Sequence, residues 1–197
     1  MKIRKLAYIV ALAMIALCGA LAASCNDANA HKHIITVSIQ PQKWLLEKIV
    51  DNHFDVICLL SQGSNPETYE PSMNHLINLE KSDAYFRIGY IGFEMAIVDK
   101  AKKNNPELKI FDNSKGISVI YGSHEGVAYH EYGEGHHHEI DPHIWTSVAN
   151  ARIISQNMCD AVCELDPKHS KEYQKNLKTL FQELDKLDEE LRNTLKN

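Results

Sequence analysis

Four short apolar runs, each separated from the next by a longer segment, constrain this chain more than any other feature. Ile34-Ile35-Thr36-Val37-Ser38-Ile39 is β-branched and of strand length. Phe54 to Leu60 reads as a second strand, buried on both faces; Asp83 to Ile88 reads as a third and Lys109-Ile110-Phe111 as a short fourth. Between them the pattern turns helical. Pro41 suits the first position of a helix whose stripe is Trp44, Leu45, Ile49 and Val50. Ser72 can cap a helix carrying Met73, Leu76, Ile77 and Leu79, and Phe93 to Lys102 forms another. Strands this apolar need cover on both sides. The β-α-β-α order supplies it, so the expected class is α/β, with a parallel four-stranded sheet flanked by helices.

From Ser147 onward the chain reads as helix. Asp166-Pro167 marks a break, with Asp as cap and Pro in the first turn of a long C-terminal backbone helix. That helix carries Tyr173, Leu177, Leu180, Phe181, Leu184, Leu187, Leu191 and Leu195 as a continuous apolar stripe, which needs a partner surface.

The N-terminus reads as an export signal. Lys2, Arg4 and Lys5 precede an uncharged run from Leu6 to Ala23, long enough for a membrane anchor to be weighed. Leu21-Ala22-Ala23-Ser24-Cys25 favours instead the bacterial lipoprotein signal, with Cys25 lipidated, although Leu21 sits four rather than three places before the cysteine. Ordinary secretion and a retained helix are the alternatives. Removing residues 1–24 takes away three cations and no anion, which moves the formal charge from −5 to −8. So acidic a domain argues against nucleic acid, which is bound through Lys and Arg. Residues 25–33 form a polar tether, and the rest suffices for one domain of ordinary size. Beyond Cys18 and Cys25, the cysteines are Cys58, Cys159 and Cys163, with no Cys-x-x-Cys pair. Cys159 and Cys163 share a helix face and read as small buried residues rather than as chelators.

The chemistry concentrates in His136-His137-His138-Glu139-Ile140-Asp141-Pro142-His143-Ile144-Trp145. Neutral imidazole is the commonest protein ligand for zinc and its neighbours. His143, between a proline and an apolar pair, is held in one direction; the plainer reading makes it a cap on the helix starting near Ser147. His124, His130, His136, His137 and His138 fall in a Gly-rich segment, residues 122–139, that can collect zinc weakly at several positions or be a polar insertion. In parallel sheets ligands sit beyond the carboxyl ends of the strands. The segments after strands two and four both leave from that edge, so a carboxylate of Ser61–Pro71 can reach His143. Glu67 and Glu70 both qualify there, against the plainer reading of a solvated acidic loop. His31 and His33 read as incidental, and His53, His75 and His169 as structural.

Enzyme readings fare poorly. The chain has no His-Glu-x-x-His, no Gly-x-Ser-x-Gly and no phosphate-cradling Gly loop. A catalytic zinc needs three protein ligands and a water, and only two well-placed candidates exist.

Pro66-Glu67-Thr68-Tyr69-Glu70-Pro71, Ala84-Tyr85-Phe86-Arg87-Ile88-Gly89, Gly92-Phe93-Glu94 and Asp141-Pro142-His143-Ile144-Trp145 occur in one order. On these segments the chain resembles the solute-binding proteins of zinc and manganese ABC transporters, from about Ile35 to its end. The resemblance implies two α/β lobes joined by a rigid helix, with the metal between them. It implies Glu67 and His143 as the ligands of the first lobe, residues 34–146, and, within the helices of 147–197, the final helix from Asp166 as the inter-lobe helix. Two departures stand out. Glu67 occupies a position where the family usually has histidine, and an oxygen ligand moves preference from Zn²⁺ towards harder ions such as Mn²⁺. The second lobe, with its two further ligands, has no counterpart here, so a truncated or split product is expected. The expectation is a lipid-anchored, periplasm-facing or extracellular receptor of the cell envelope. It would deliver Zn²⁺, with Mn²⁺ the alternative cargo, to an ABC permease in the inner membrane. A zinc buffer or metallochaperone working through the histidine-rich segment is the competing expectation, and a hydrolase a distant third.

Overall fold

The computed structural model describes residues 33–121 and 140–196. Cys25, His124, His130, His136, His137 and His138 lie outside the described residues. The strands are β1 (His33–Val37), β2 (Phe54–Cys58), β3 (Ala84–Arg87) and β4 (Lys109–Asp112). The helices are α1 (Gln40–Val50), α2 (Met73–Glu80), α3 (Gly92–Asn104), α4 (Val148–Leu165) and α5 (Ser170–Leu195). All strand pairs are parallel and the order is β2-β1-β3-β4.

The chain moves one way from β1 to β2 and the other way from β2 through β3 to β4. Right-handed crossovers therefore put α1 on one face of the sheet and α2 and α3 on the other. Helix α1 packs with α4 and α5, and α2 packs with α3. The central strands carry the apolar core: Ile35, Val37, Ala84, Tyr85 and Phe86 are fully buried, with Leu46, Ile49 and Leu79 from the helices. Each such large side chain contributes roughly 1.5–3 kcal/mol of transfer free energy.

Three expectations need correction. Strand β2 is at an edge, and Asp55 on it is exposed, so it is not buried on both faces. An aliphatic run signals burial without saying which strand will be terminal. Pro41 is the second residue of α1, and the first turn is closed by Gln42, whose Oε1 accepts from the amides of Ser38 and Ile39. At α2 Ser72 is the cap residue, as expected, and its amide donates in return to His75 Nδ1 at 3.3 Å. The final helix starts at Ser170, not at Asp166, because Pro167–His169 form a separate 3₁₀ turn. Ser147 behaves as expected, its hydroxyl accepting from the Asn150 amide at 3.4 Å.

The stripe on α5 divides. Tyr173, Leu177, Leu180 and Leu184 are buried. The Asn176 amide donates to Ile49 O at 3.0 Å and Lys48 pairs with Glu183 at 2.9 Å, tying this half to α1. Arg152 of α4 lies over the Phe181 ring at 4.2 Å. Further along, Leu187 and Leu191 are each 44% exposed and Leu195 82%. Leu187 and Leu191 border a groove of about 250 Å³ with Trp44 and Trp145.

Candidate metal centre

Strand order reverses between β1 and β3, so the crevice for a ligand opens at their carboxyl ends. The floor of that crevice is occupied by the protein's own carboxylate. Glu94, fully buried on α3, accepts from the amides of Ile88 at 2.7 Å and Gly89 at 2.8 Å, and from the Ser38 hydroxyl. Burial pushes its carboxyl up against the opposing pull of those hydrogen bonds. Ser38 also bonds the Tyr85 hydroxyl at 2.7 Å. Gly89 has φ +114, and a Cβ there would run into Ser114, so only glycine delivers this amide to Glu94. Sequence reasoning noted Gly92-Phe93-Glu94 without assigning Glu94 a role. The available signal was a carboxylate in the first turn of a helix that follows an apolar strand.

Above this floor two segments meet. The Ser61–Pro71 loop brings Glu67, whose amide bonds Asn65 Oδ1 at 2.9 Å in a local turn. The tyrosine of the same loop anchors it: Tyr69 donates to Leu59 O at 2.9 Å and also contacts His75 Nδ1. From the other side His143 enters just before the Ile144–Thr146 turn, with Ile144 buried beneath it. Glu67 Oε1 lies 3.9 Å from His143 Nε2. Glu70 is exposed and forms no ion pair with His143. Glu67 is thus the loop carboxylate brought to the imidazole.

Asp141 sets the orientation of that ring. Its Oδ1 accepts from the His143 amide at 2.9 Å and stands 2.8 Å from His143 Nδ1. The backbone N–H and the ring together hold the Asp141 carboxyl below the usual range. An ionised carboxylate can only accept, so Nδ1 is the donor to Asp141 and Nε2 is the ring nitrogen turned to Glu67. A carboxylate on one ring nitrogen is how a metal-ligating histidine has its other nitrogen aimed. Trp145, with its ring centroid 5.1 Å from that of His143, forms one wall. Beside it a cavity of about 320 Å³ is lined by Pro41, Leu60, Pro66 and Trp145. Tyr121 and Ile140 form an antiparallel bridge, and the Asp141 amide bonds Ile120 O at 2.9 Å. Tyr121 and Ile140, which flank the histidine-rich segment in the sequence, are therefore held next to Asp141.

The remaining candidates separate from this place. Cys159 is buried and Cys163 half-buried, both as free thiols, and burial with the neighbouring Cys163 pushes the Cys159 thiol up to about 12. A thiol that resists ionisation is a poor ligand. His33 bonds Asp83 at 3.1 Å at the other end of the sheet. No described helix is long and apolar enough to cross a membrane.

Known proteins are similar to this chain. The family model for ZnuA, the periplasmic component A of the zinc-uptake complex, matches residues 35–197. The zinc-binding lipoprotein AdcA of Streptococcus pneumoniae is 23% identical over 188 residues, covering 91% of this chain and 36% of that protein. The manganese ABC transporter substrate-binding lipoprotein PsaA of Streptococcus anginosus is 28% identical over 160 residues, covering 78% and 48%. A crystal structure of a ZnuA deletion mutant with zinc bound superposes with a TM-score of 0.72 at 33% identity, over 83% of this chain and 58% of that one. The chain thus spans between about a third and about a half of the length of these two curated relatives.

Proposed function

This chain belongs to the ZnuA family of zinc-uptake proteins, and on that premise we propose that it is the metal-capturing lobe of an extracytoplasmic receptor for Zn²⁺. Its cargo would pass to an ABC permease in the membrane, with no chemistry performed on the ion. The observation that carries the reading is the pairing of His143 Nε2 with Glu67 Oε1 at 3.9 Å, with Asp141 on the opposite ring nitrogen. Two ligand atoms at that separation leave room for an ion bonded to both at about 2.0–2.1 Å after a small approach. They make half of a tetrahedral shell. The histidines of residues 122–139, flanked by the bridged pair Tyr121 and Ile140, are the proposed collecting arm. In the full-length relatives the remaining ligands would come from the part that this chain does not span. Lipid attachment at Cys25 would hold the receptor in the cell envelope, close to the permease.

One observation favours Mn²⁺ as an alternative cargo: Glu67 offers oxygen where nitrogen would select zinc more firmly, and a manganese receptor is among the relatives. Competition titration against a chromophoric chelator tests both. The expected result is tighter binding of Zn²⁺ than of Mn²⁺, lost on His143→Ala. If deleting residues 124–138 abolished binding while His143→Ala left it unchanged, the zinc-buffer reading would replace this one.

A further inference from the structure

At the opposite, amino-terminal edge of the sheet a second set of metal-binding side chains converges from three chain segments. His53 directly precedes β2, Asp166 follows the last residue of α4, and His169 ends the 3₁₀ turn that leads into α5. Their ligand atoms all lie within 4.8 Å of one another, the only such group of three among the described residues. His169 Nδ1 is 2.5 Å from Asp166 Oδ2, and Glu172 Oε2 is 3.1 Å from His53 Nε2. The two imidazoles stack with centroids 4.0 Å apart, 26° from parallel. Tyr173, fully buried, donates to the same Asp166 oxygen at 2.7 Å and meets the His53 ring edge-on at 5.6 Å.

A helix junction explains part of this cluster and leaves part over. Asp166, His169 and Tyr173 suffice to close the turn between α4 and α5. Neither His53, which belongs to another layer of the fold, nor Glu172 is needed for that. Among the described residues neither carboxylate pairs with a lysine or arginine. With neutral imidazoles the cluster therefore holds two negative charges and two nitrogen donors, half-buried and without a cation of its own. The Tyr173 hydroxyl fixes the carboxylate as an outer partner does in a metal site.

We propose that His53, Asp166 and His169, with Glu172 as fourth donor, form a second divalent-cation site of the zinc class. Two nitrogens and two carboxylate oxygens match the borderline preference of Zn²⁺. Bonds of about 2.0–2.1 Å set donors roughly 3.3 Å apart. The His169–Asp166 and His53–Glu172 pairs therefore part slightly as the ion replaces the proton between them. The wider pairs close in, and one imidazole turns about χ2 so that both lone pairs meet the ion. The five residues of β2 alone keep this site about 15 Å from the edge that bears Glu67. An ion here would join the start of β2 to the start of α5 and so brace the domain rather than travel with the cargo.

The test uses the full chain in the His143→Ala background, so that failure of the carboxyl-edge site does not affect it. Zn²⁺ is titrated while the imidazole nitrogens are followed by long-range ¹H–¹⁵N NMR, and stoichiometry is measured by calorimetry. The expected result is a shift of the His53 and His169 resonances, and one fewer bound equivalent in His53→Gln. The rise in melting temperature with Zn²⁺ should shrink in the same variant. His53→Gln is chosen because it spares the Asp166–Tyr173 contact that closes the junction, and Glu172→Gln on the exposed rim serves as the second variant. Unmoved His53 and His169 resonances, or unchanged stoichiometry in folded His53→Gln, would overturn the proposal.

Discussion

The two edges of the sheet carry the same residue types in opposite settings. At the carboxyl edge Glu67, Asp141 and His143 are each about half exposed and project from loops, with side-chain exposures of 55%, 47% and 43%. Their orientation comes from neighbours two residues away: Asn65 on the Glu67 amide and Asp141 on His143. At the amino edge Asp166 and His169 are less exposed, and Asp166 bonds a fully buried tyrosine. Local loop geometry can be changed there only through the helix packing. The difference teaches where recognition and stability reside. A site on loops can lose a ligand without losing the fold, whereas a site at a helix junction is coupled to it.

The sharpest break of that comparison is His143→Ala. Losing a ligand should cost more than losing its outer support, so zinc affinity in competition titration should fall by more than ~100-fold. The urea midpoint should barely move, because exposed substitutions usually stay within about ±0.5 kcal/mol. Asp141→Asn should follow with a loss of about 10–100-fold, since the amide no longer fixes the ring tautomer. A loss in Asp141→Asn equal to that in His143→Ala would assign Asp141 a direct role as ligand.

Tyr173→Phe probes the other edge. Removing a buried donor to a charged acceptor should cost about 1.5–3 kcal/mol in urea denaturation with chelator present, and leave zinc affinity at the His143 edge unchanged. The pH dependence separates the edges further. Partial burial pushes the Asp166 carboxyl up, but hydrogen bonds from His169 and Tyr173 outweigh it and hold the group below the usual range. Its stabilisation is therefore complete above the ordinary Asp value of about 3.9 and is lost as pH falls through the lower folded value. Asp166→Asn should flatten this acid arm of the stability curve. The smallest effect expected is that of Lys48→Ala, which removes an exposed pair with Glu183 worth about 0–1 kcal/mol.

Much of this was legible in residue patterns. The aliphatic runs gave the parallel sheet, and the sheet gave the edge on which Glu67 and His143 meet. What the patterns could not show is instructive. The run from Phe54 to Leu60 read as buried on both faces because strand order depends on crossover direction, not on composition. The choice between Glu67 and Glu70 stayed open because both lie in one proline-bounded loop, and only the turn at Asn65 and the anchor at Tyr69 separate them. His53 and His169 read as separate structural histidines since 116 positions divide them in the sequence. Glu94 offered only its place in the first turn of a helix after an apolar strand, since its partners are two backbone amides and one distant serine hydroxyl.

The closure of α5 over α1 has a consequence for how the molecule forms. The contacts from Asn176 to Ile49 and from Glu183 to Lys48 span 127 and 135 positions, far more than the 49 between Ile35 and Ala84 across the central strand pair. Contacts of such separation are slow to make, because the loop entropy is spent before the contact returns anything. The sheet with α1, α2 and α3 can collapse first, leaving Leu46 and Ile49 uncovered until the last helix arrives. Interrupted synthesis or slow release of the C-terminal helices would then expose an adhesive intermediate, and refolding should end on a docking step set by Leu177 and Leu180.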